Sequence, residues 1–180
     1  GKRLPAHARS KIMKEGMKLP RSVLGLDIWG DDVPANGLVF ETGDSDGICM
    51  PVNPELTPVP WSVHKHDQAL AMMFNPDGSP FMADPRQILS SVMDRFKAKG
   101  ITAVAATELE FYLMDASSES TQRPKPPVLK GGHGRRLNEV DAYSINELDG
   151  LADFFAEVRQ SCEIQGIPAD TIISELGPGQ

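Results

Sequence analysis

The sequence predicts an α+β fold, with a small sheet and one helix over residues 1–83 and alternating helices and strands over 84–180. Three observations predict it. Short apolar runs near the start are separated by stretches rich in Pro and Gly. Helix-start signals stand at Asp84 and Ser144. Between them lies Ile101–Asp115, a run of β-branched, small and apolar residues ending in aromatics, which reads as a long, mostly buried strand.

In chain order, Ala8–Met17 is expected as a short helix with Ile12 and Met13 facing inward. Val23–Trp29 reads as a strand interrupted by Asp27, and the turn-rich acidic stretch 30–46 follows. Gly47–Val52 is a short strand. Pro54, Pro58 and Pro60 make 53–66 an extended connection, in which His64 and His66 belong to a solvated loop. Ala69–Phe74 is the next strand, and Asn75-Pro-Asp-Gly-Ser-Pro80 turns the chain back on itself.

Asp84 can cap a helix whose first turn takes Pro85 and whose end is Gly100. Ile88, Leu89, Val92, Met93 and Phe96 form its apolar stripe. Residues 116–142 are a long irregular segment that includes Gly131-Gly-His-Gly-Arg-Arg136, expected as a surface loop. Ser144-Ile-Asn-Glu147 is a capping box and opens a helix that Gly166-Ile-Pro168 stops. Thr171–Gln180 is expected as a strand that carries Glu175 into a Gly-Pro-Gly turn.

Composition excludes some classes. The net charge of −7 argues against a nucleic-acid surface. No apolar run reaches membrane-spanning length and no signal pattern opens the chain, so a cytoplasmic protein is expected. Cys49 and Cys162 lack metal spacing and read as reduced core thiols. The chain opens without an initiator Met and stops just after a turn, as an internal piece of a longer protein would.

The chemistry lies in the acids. On a strand, Glu108 and Glu110 share one face, about 7 Å apart. Two like charges on an otherwise apolar strand need solvent, a cation or a metal to compensate them. Glu175 emerges from a second apolar run. Three carboxylates on two strands suit hard divalent ions, Mg²⁺ or Mn²⁺.

With these residues located, the chain resembles the glutamine synthetase family. Glu108-Leu-Glu110-Phe-Tyr-Leu113 and Glu175-Leu-Gly-Pro-Gly-Gln180 carry the likeness, with Asp84-Pro-Arg86 upstream. Gly1-Lys-Arg-Leu-Pro, Gly43-Asp-Ser-Asp-Gly and Tyr143-Ser-Ile-Asn point to its γ-glutamyl-polyamine branch. The resemblance implies a partial N-terminal β-grasp domain over 1–83 and the first part of the catalytic α/β domain over 84–180. It implies an ATP-dependent ligase joining the γ-carboxyl of glutamate to ammonia or a small amine through a γ-glutamyl phosphate. It further implies a ring-shaped homo-oligomer with active sites between subunits. Glu110 and Glu175 would hold the metal nearer the substrate carboxylate, and Glu108 the metal nearer the ATP phosphates. Asp27 would help deprotonate the incoming ammonium, although its Leu-Asp-Ile-Trp context lacks the family's Gly-Ser-Ser. Tyr143 would shape the amine pocket. The remaining ligands of the family fall outside these 180 residues, so the piece alone is not expected to catalyse.

Two other classes compete. A divalent-metal phosphodiesterase also clusters acids on strands, but the acidic balance and the lack of a basic groove speak against it. A non-catalytic scaffold of the same fold is the other. ADP release, as against phosphodiester cleavage, separates them.

Overall fold

A computed structural model of the chain describes residues 1–116, 124–129 and 142–180. It mixes helices and strands and divides into two compact units. The first comprises residues 1–57 and 67–105, and the second 58–66 and 106–180.

In the first unit a 3₁₀ turn at Ala6–Ala8 leads into helix α1 (Arg9–Glu15). Ile12 and Met13 of this helix are half-buried, as their spacing predicts. Strand β1 (Met17–Pro20) follows. It pairs antiparallel with β2 (Asp46–Pro51), Met17 opposite Cys49 and Pro20 opposite Asp46. The sequence reading missed β1, whose four residues follow Gly16, end in Pro20 and carry little pattern of their own. Pairing with β2 defines it. After the two-residue strands β3 (Thr57–Pro58) and β4 (Asp67–Gln68) comes β5 (Ala71–Phe74). It pairs with the other side of β2, so the sheet order is β1-β2-β5. Leu38, Cys49, Met73 and Phe81 form the core, flanked by Met17, Leu19, Val39 and Ala71.

Val23–Trp29 does not form the expected strand. Arg21–Leu24 is a 3₁₀ turn, and the next contact is a lone bridge between Leu26 and Asp32. Asp27 explains the failure. Its Oδ1 accepts the amides of Trp29 (2.8 Å) and Asp31 (3.0 Å), so a local turn takes the donors a strand would need.

The 75–80 turn closes as expected, with Asn75 N–H donating to Ser79 O and Phe81 N–H to Met73 O. Helix α2 (Pro85–Ala98) starts at the Asp84 cap. Asp84 has two tasks. Its Oδ1 accepts Arg86 N–H (2.9 Å) to cap the helix, and its Oδ2 accepts Met73 N–H (2.7 Å) on the free edge of β5. Gln87 Nε2 donates to Met73 O (2.8 Å). The helix start thus covers an edge strand with side-chain partners, which blunts an otherwise sticky edge. The apolar stripe of α2 is a further departure. Ile88, Leu89, Met93 and Phe96 are exposed, while Gln87 is the buried residue.

In the second unit, α3 (Ile145–Gly150) and α4 (Ala152–Gln165) replace the single helix expected there. Leu151 breaks it, with φ −111° and ψ 11°. Gly166 ends α4 in the left-handed conformation, as its position after the helix predicts. Two expected strands are absent. Residues 101–115 have no strand pairing, and every residue from 101 to 112 is exposed. Among the described residues, no amide from 102 to 112 donates to a backbone carbonyl. An extended chain becomes a strand only when neighbours take up its backbone groups, and among the described residues none takes the amides of 102–112. Residues 171–175 carry no strand pairing either, while the expected Gly-Pro-Gly turn forms at 176–179. Among the described residues, no helix is long and apolar enough to cross a membrane.

Candidate functional site

The two acid-bearing motifs meet within the second unit. Leu113 N–H donates to Gly179 O at 2.7 Å, and Tyr112 Oη–H donates to Gln180 Oε1 at 3.0 Å. The same Oε1 accepts Gly177 N–H at 2.9 Å. Two further bonds close the turn, from Gln180 N–H to Gly177 O and from Glu175 N–H to Gln180 O. Phe111 packs edge-on against Phe154 of α4, ring centroids 6.4 Å apart.

The turn needs its glycines. A Cβ on Gly177 would lie 2.6 Å from the Tyr112 ring. Gly179 has φ +84°, and a Cβ there would lie 2.7 Å from Leu113 O. The Gly-Pro-Gly segment therefore lets one backbone approach another, in addition to reversing the chain.

Behind the turn is a buried polar cluster that sequence reasoning missed. Glu147, on α3, is 4% exposed and Ser174 only 1%. Glu147 Oε1 accepts Gly179 N–H at 2.9 Å, and Oε2 accepts Ser174 Oγ–H at 3.3 Å. Ser144 N–H donates to Ser174 Oγ at 3.1 Å, and Tyr143 N–H to Ser174 O at 2.9 Å. Only half of the expected capping box forms. Ser144 Oγ accepts Glu147 N–H at 3.3 Å, but the Glu147 carboxylate faces the 174–179 segment instead of its own cap amide. The Ser-x-x-Glu spacing announced the helix start. Nothing local announced that the glutamate would be buried.

The candidate residues fall as follows. Glu108 and Glu110 are exposed on the unpaired stretch, and Glu175 is half-buried beside Ser174. Their segments touch, yet among the described residues no three His, Cys, Asp or Glu side chains gather as a metal cage. Three carboxylates have the right chemistry for a hard cation, but their present arrangement does not fit one. Tyr143 is exposed and holds φ +61°, a conformation a bulky residue rarely adopts. Its amide ties it to the segment leading into Glu175.

In the first unit, Asp27 is solvent-exposed. The amides of Asp31 and then Trp29 hold its carboxyl below the ordinary aspartate range. In the second unit, His66 Nδ1 lies 3.1 Å from Ser62 Oγ and 2.8 Å from His64 O, so the histidine pair belongs to a hydrogen-bonded loop. The Gly131–Arg136 run lies outside the described residues.

A family model described as glutamine synthetase, catalytic domain, matches residues 82–180. Over all 180 residues the chain is 35% identical to gamma-glutamylputrescine synthetase PuuA of Escherichia coli strain K12, covering 100% of this chain and 38% of that protein. It is 30% identical over 178 residues to glutamate–isopropylamine ligase of Pseudomonas sp, covering 95% and 36% of the two. It is 26% identical over 161 residues to glutamine synthetase of Thermotoga maritima, covering 86% and 34%. The chain spans a little over a third of the length of these relatives.

Proposed function

Because the chain belongs to the glutamine synthetase family, we propose that the protein is an ATP-dependent ligase joining the γ-carboxyl of glutamate to ammonia or a small amine. One observation in the structure carries this function. The Glu108–Leu113 and Glu175–Gln180 motifs, 62 residues apart from Leu113 to Glu175 by number, are bonded to each other through Tyr112, Leu113, Gly179 and Gln180.

The reaction needs an activated acyl group, because a free carboxylate would have to expel oxide. Transfer of the γ-phosphoryl group of ATP to the glutamate γ-carboxylate gives an acyl phosphate and ADP. The amine nitrogen then attacks the acyl carbon, phosphate leaves, and a proton is lost from nitrogen.

Glu108, Glu110 and Glu175 are the proposed ligands of divalent ions, Mg²⁺ or Mn²⁺. The proposal requires residues 102–112 to be drawn into a sheet, which would set Glu108 and Glu110 on one face about 7 Å apart. Leu109 and Val104, 84% and 93% exposed, have the apolar character of residues covered by such a sheet. Asp27 is proposed to attract the cationic amine. Its depressed pKa favours that task over taking a proton. Tyr143 is proposed to border the amine. The strands of the first unit are proposed as part of a β-grasp domain, and a homo-oligomeric ring with sites between subunits is the proposed assembly.

Similarity to relatives named for putrescine and isopropylamine supports an organic amine over ammonia as the acceptor. The test is the Glu110→Ala variant of the full-length protein, assayed for metal-dependent ADP release with glutamate and a panel of amines. Loss of turnover by about 100-fold or more is expected. Near-normal turnover would remove Glu110 from the site, and no ADP release by the wild type with any amine would remove the ligase.

A further inference from the structure

We propose that Glu147 is a positioning residue, whose buried carboxylate latches the Ser174–Gln180 segment to α3 and so fixes where Glu175 is presented. The assignment of its purpose rests on the ligase function proposed above. The latch itself rests on geometry alone.

A carboxylate this buried is costly unless its oxygens are occupied. Among the described residues no cation pairs with Glu147. Its two oxygens instead take the two ends of one segment. Oε2 accepts Ser174 Oγ–H, one residue before Glu175, and Oε1 accepts Gly179 N–H, four residues after it. Glu175 therefore sits between the two anchor points. Ser174 extends the latch, because its Oγ accepts Ser144 N–H and its carbonyl accepts Tyr143 N–H. Glu147 Oε1 holds the Gly179 amide, while the Gly179 carbonyl holds Leu113 N–H of the other acid-bearing motif. One residue of the turn, Gly179, thus joins both motifs to α3. A generic surface glutamate would give none of this, since its carboxylate would be hydrated and free to rotate.

The chemistry of the latch predicts a hierarchy among variants. Glu147→Gln keeps an oxygen for Gly179 N–H, and its amide can donate to Ser174 Oγ in a reversed bond, so it should largely preserve the latch. Glu147→Ala removes both anchors and leaves Gly179 N–H and Ser174 Oγ–H without their acceptor. Ser174→Ala removes one anchor only.

The experiment is amide hydrogen exchange on the full-length wild type and the three variants, with ADP release measured alongside. In Glu147→Ala, exchange across 174–180 should rise by about tenfold or more while 85–98 stays unchanged, and Glu147→Gln should remain within about threefold of wild type. The kcat for ADP release should fall by about tenfold or more in Glu147→Ala, with the glutamate KM within about threefold, and recover in Glu147→Gln. Unchanged exchange at 174–180 would overturn the latch. A loosened segment with unaltered kcat would overturn the positioning role. If Glu147→Ala does not fold, Ser174→Ala must show an intermediate loosening, and its absence overturns the latch equally. A wild type that releases no ADP overturns the ligase and with it the purpose of the latch, while the exchange contrast still decides whether the latch exists.

Discussion

Gly177 and Gly179 are the residues whose replacement should be least tolerated in the second unit. Alanine at 179 would have to hold φ +84° with its Cβ against Leu113 O. The expected cost is about 2 kcal/mol or more, combining left-handed strain with the clash. Urea unfolding of Gly179→Ala checks it, with Gly37→Ala as the control, where strain acts without a neighbour within 4 Å. Asp27 offers a pH test. Its folded pKa lies below the unfolded value, so its contribution to the local turn is present above the unfolded pKa of about 3.9 and is lost as pH falls through the folded value. The Trp29 and Asp31 amide resonances should titrate together with a midpoint below that value, and Asp27→Asn should abolish the titration. Cys49 behaves differently. Burial, with the Asp84 charge adding to it, raises its thiol pKa, so alkylation at pH 8 should be slow until the protein is denatured.

At the scale of elements, α2 and β5 depend on one side chain. Asp84→Ala removes a helix cap and leaves the buried amide of Met73 without its acceptor. Adding a cap loss to a stranded buried donor gives an expected destabilisation of about 2–4 kcal/mol by chemical denaturation. Asp84→Asn keeps an acceptor oxygen and should lose less. The cap was legible in the Asp-Pro spacing, since capping is a local matter. The bond to Met73 was not, because eleven residues separate the partners. The same contrast holds at α3, where Ser144 was legible as a cap and Glu147 was not legible as a buried anchor. Val23–Trp29 shows the reverse error. Its apolar residues suggested a strand, but Asp27 bonds the nearest amides and the local turn wins.

At the scale of the whole molecule, the question is what completes residues 102–112. They combine the apolar run Ala103–Ala106 with the alternation Glu108-Leu-Glu-Phe111, yet are exposed, and among the described residues their amides meet no backbone carbonyl. The chain covers a little over a third of its relatives, and we expect the stretch to pair in a longer protein. Amide exchange supplies the check. Residues 1–180 alone should exchange at 102–112 close to the unprotected rate, whereas the full-length protein should protect them by about 100-fold or more. Equal exchange in both would mean that no sheet forms there and that Glu108 and Glu110 do not share a face.

By itself the sequence determined the mixed fold class, the caps at Asp84 and Ser144, the stops at Gly100 and Gly166, and the two acid-bearing motifs that place the chain in its family. Each of these is set by neighbours within a few residues, where backbone geometry and side-chain reach act alone. Tertiary structure decided that the Gly-Pro-Gly turn bonds to Tyr112 and Leu113, that Glu147 is buried against it, and that Asp84 bonds the edge of β5. It also left the backbone amides of residues 102–112 without carbonyl acceptors among the described residues. Those outcomes depend on which distant groups satisfy a buried carboxylate or a strand's backbone, and no local pattern encodes that choice.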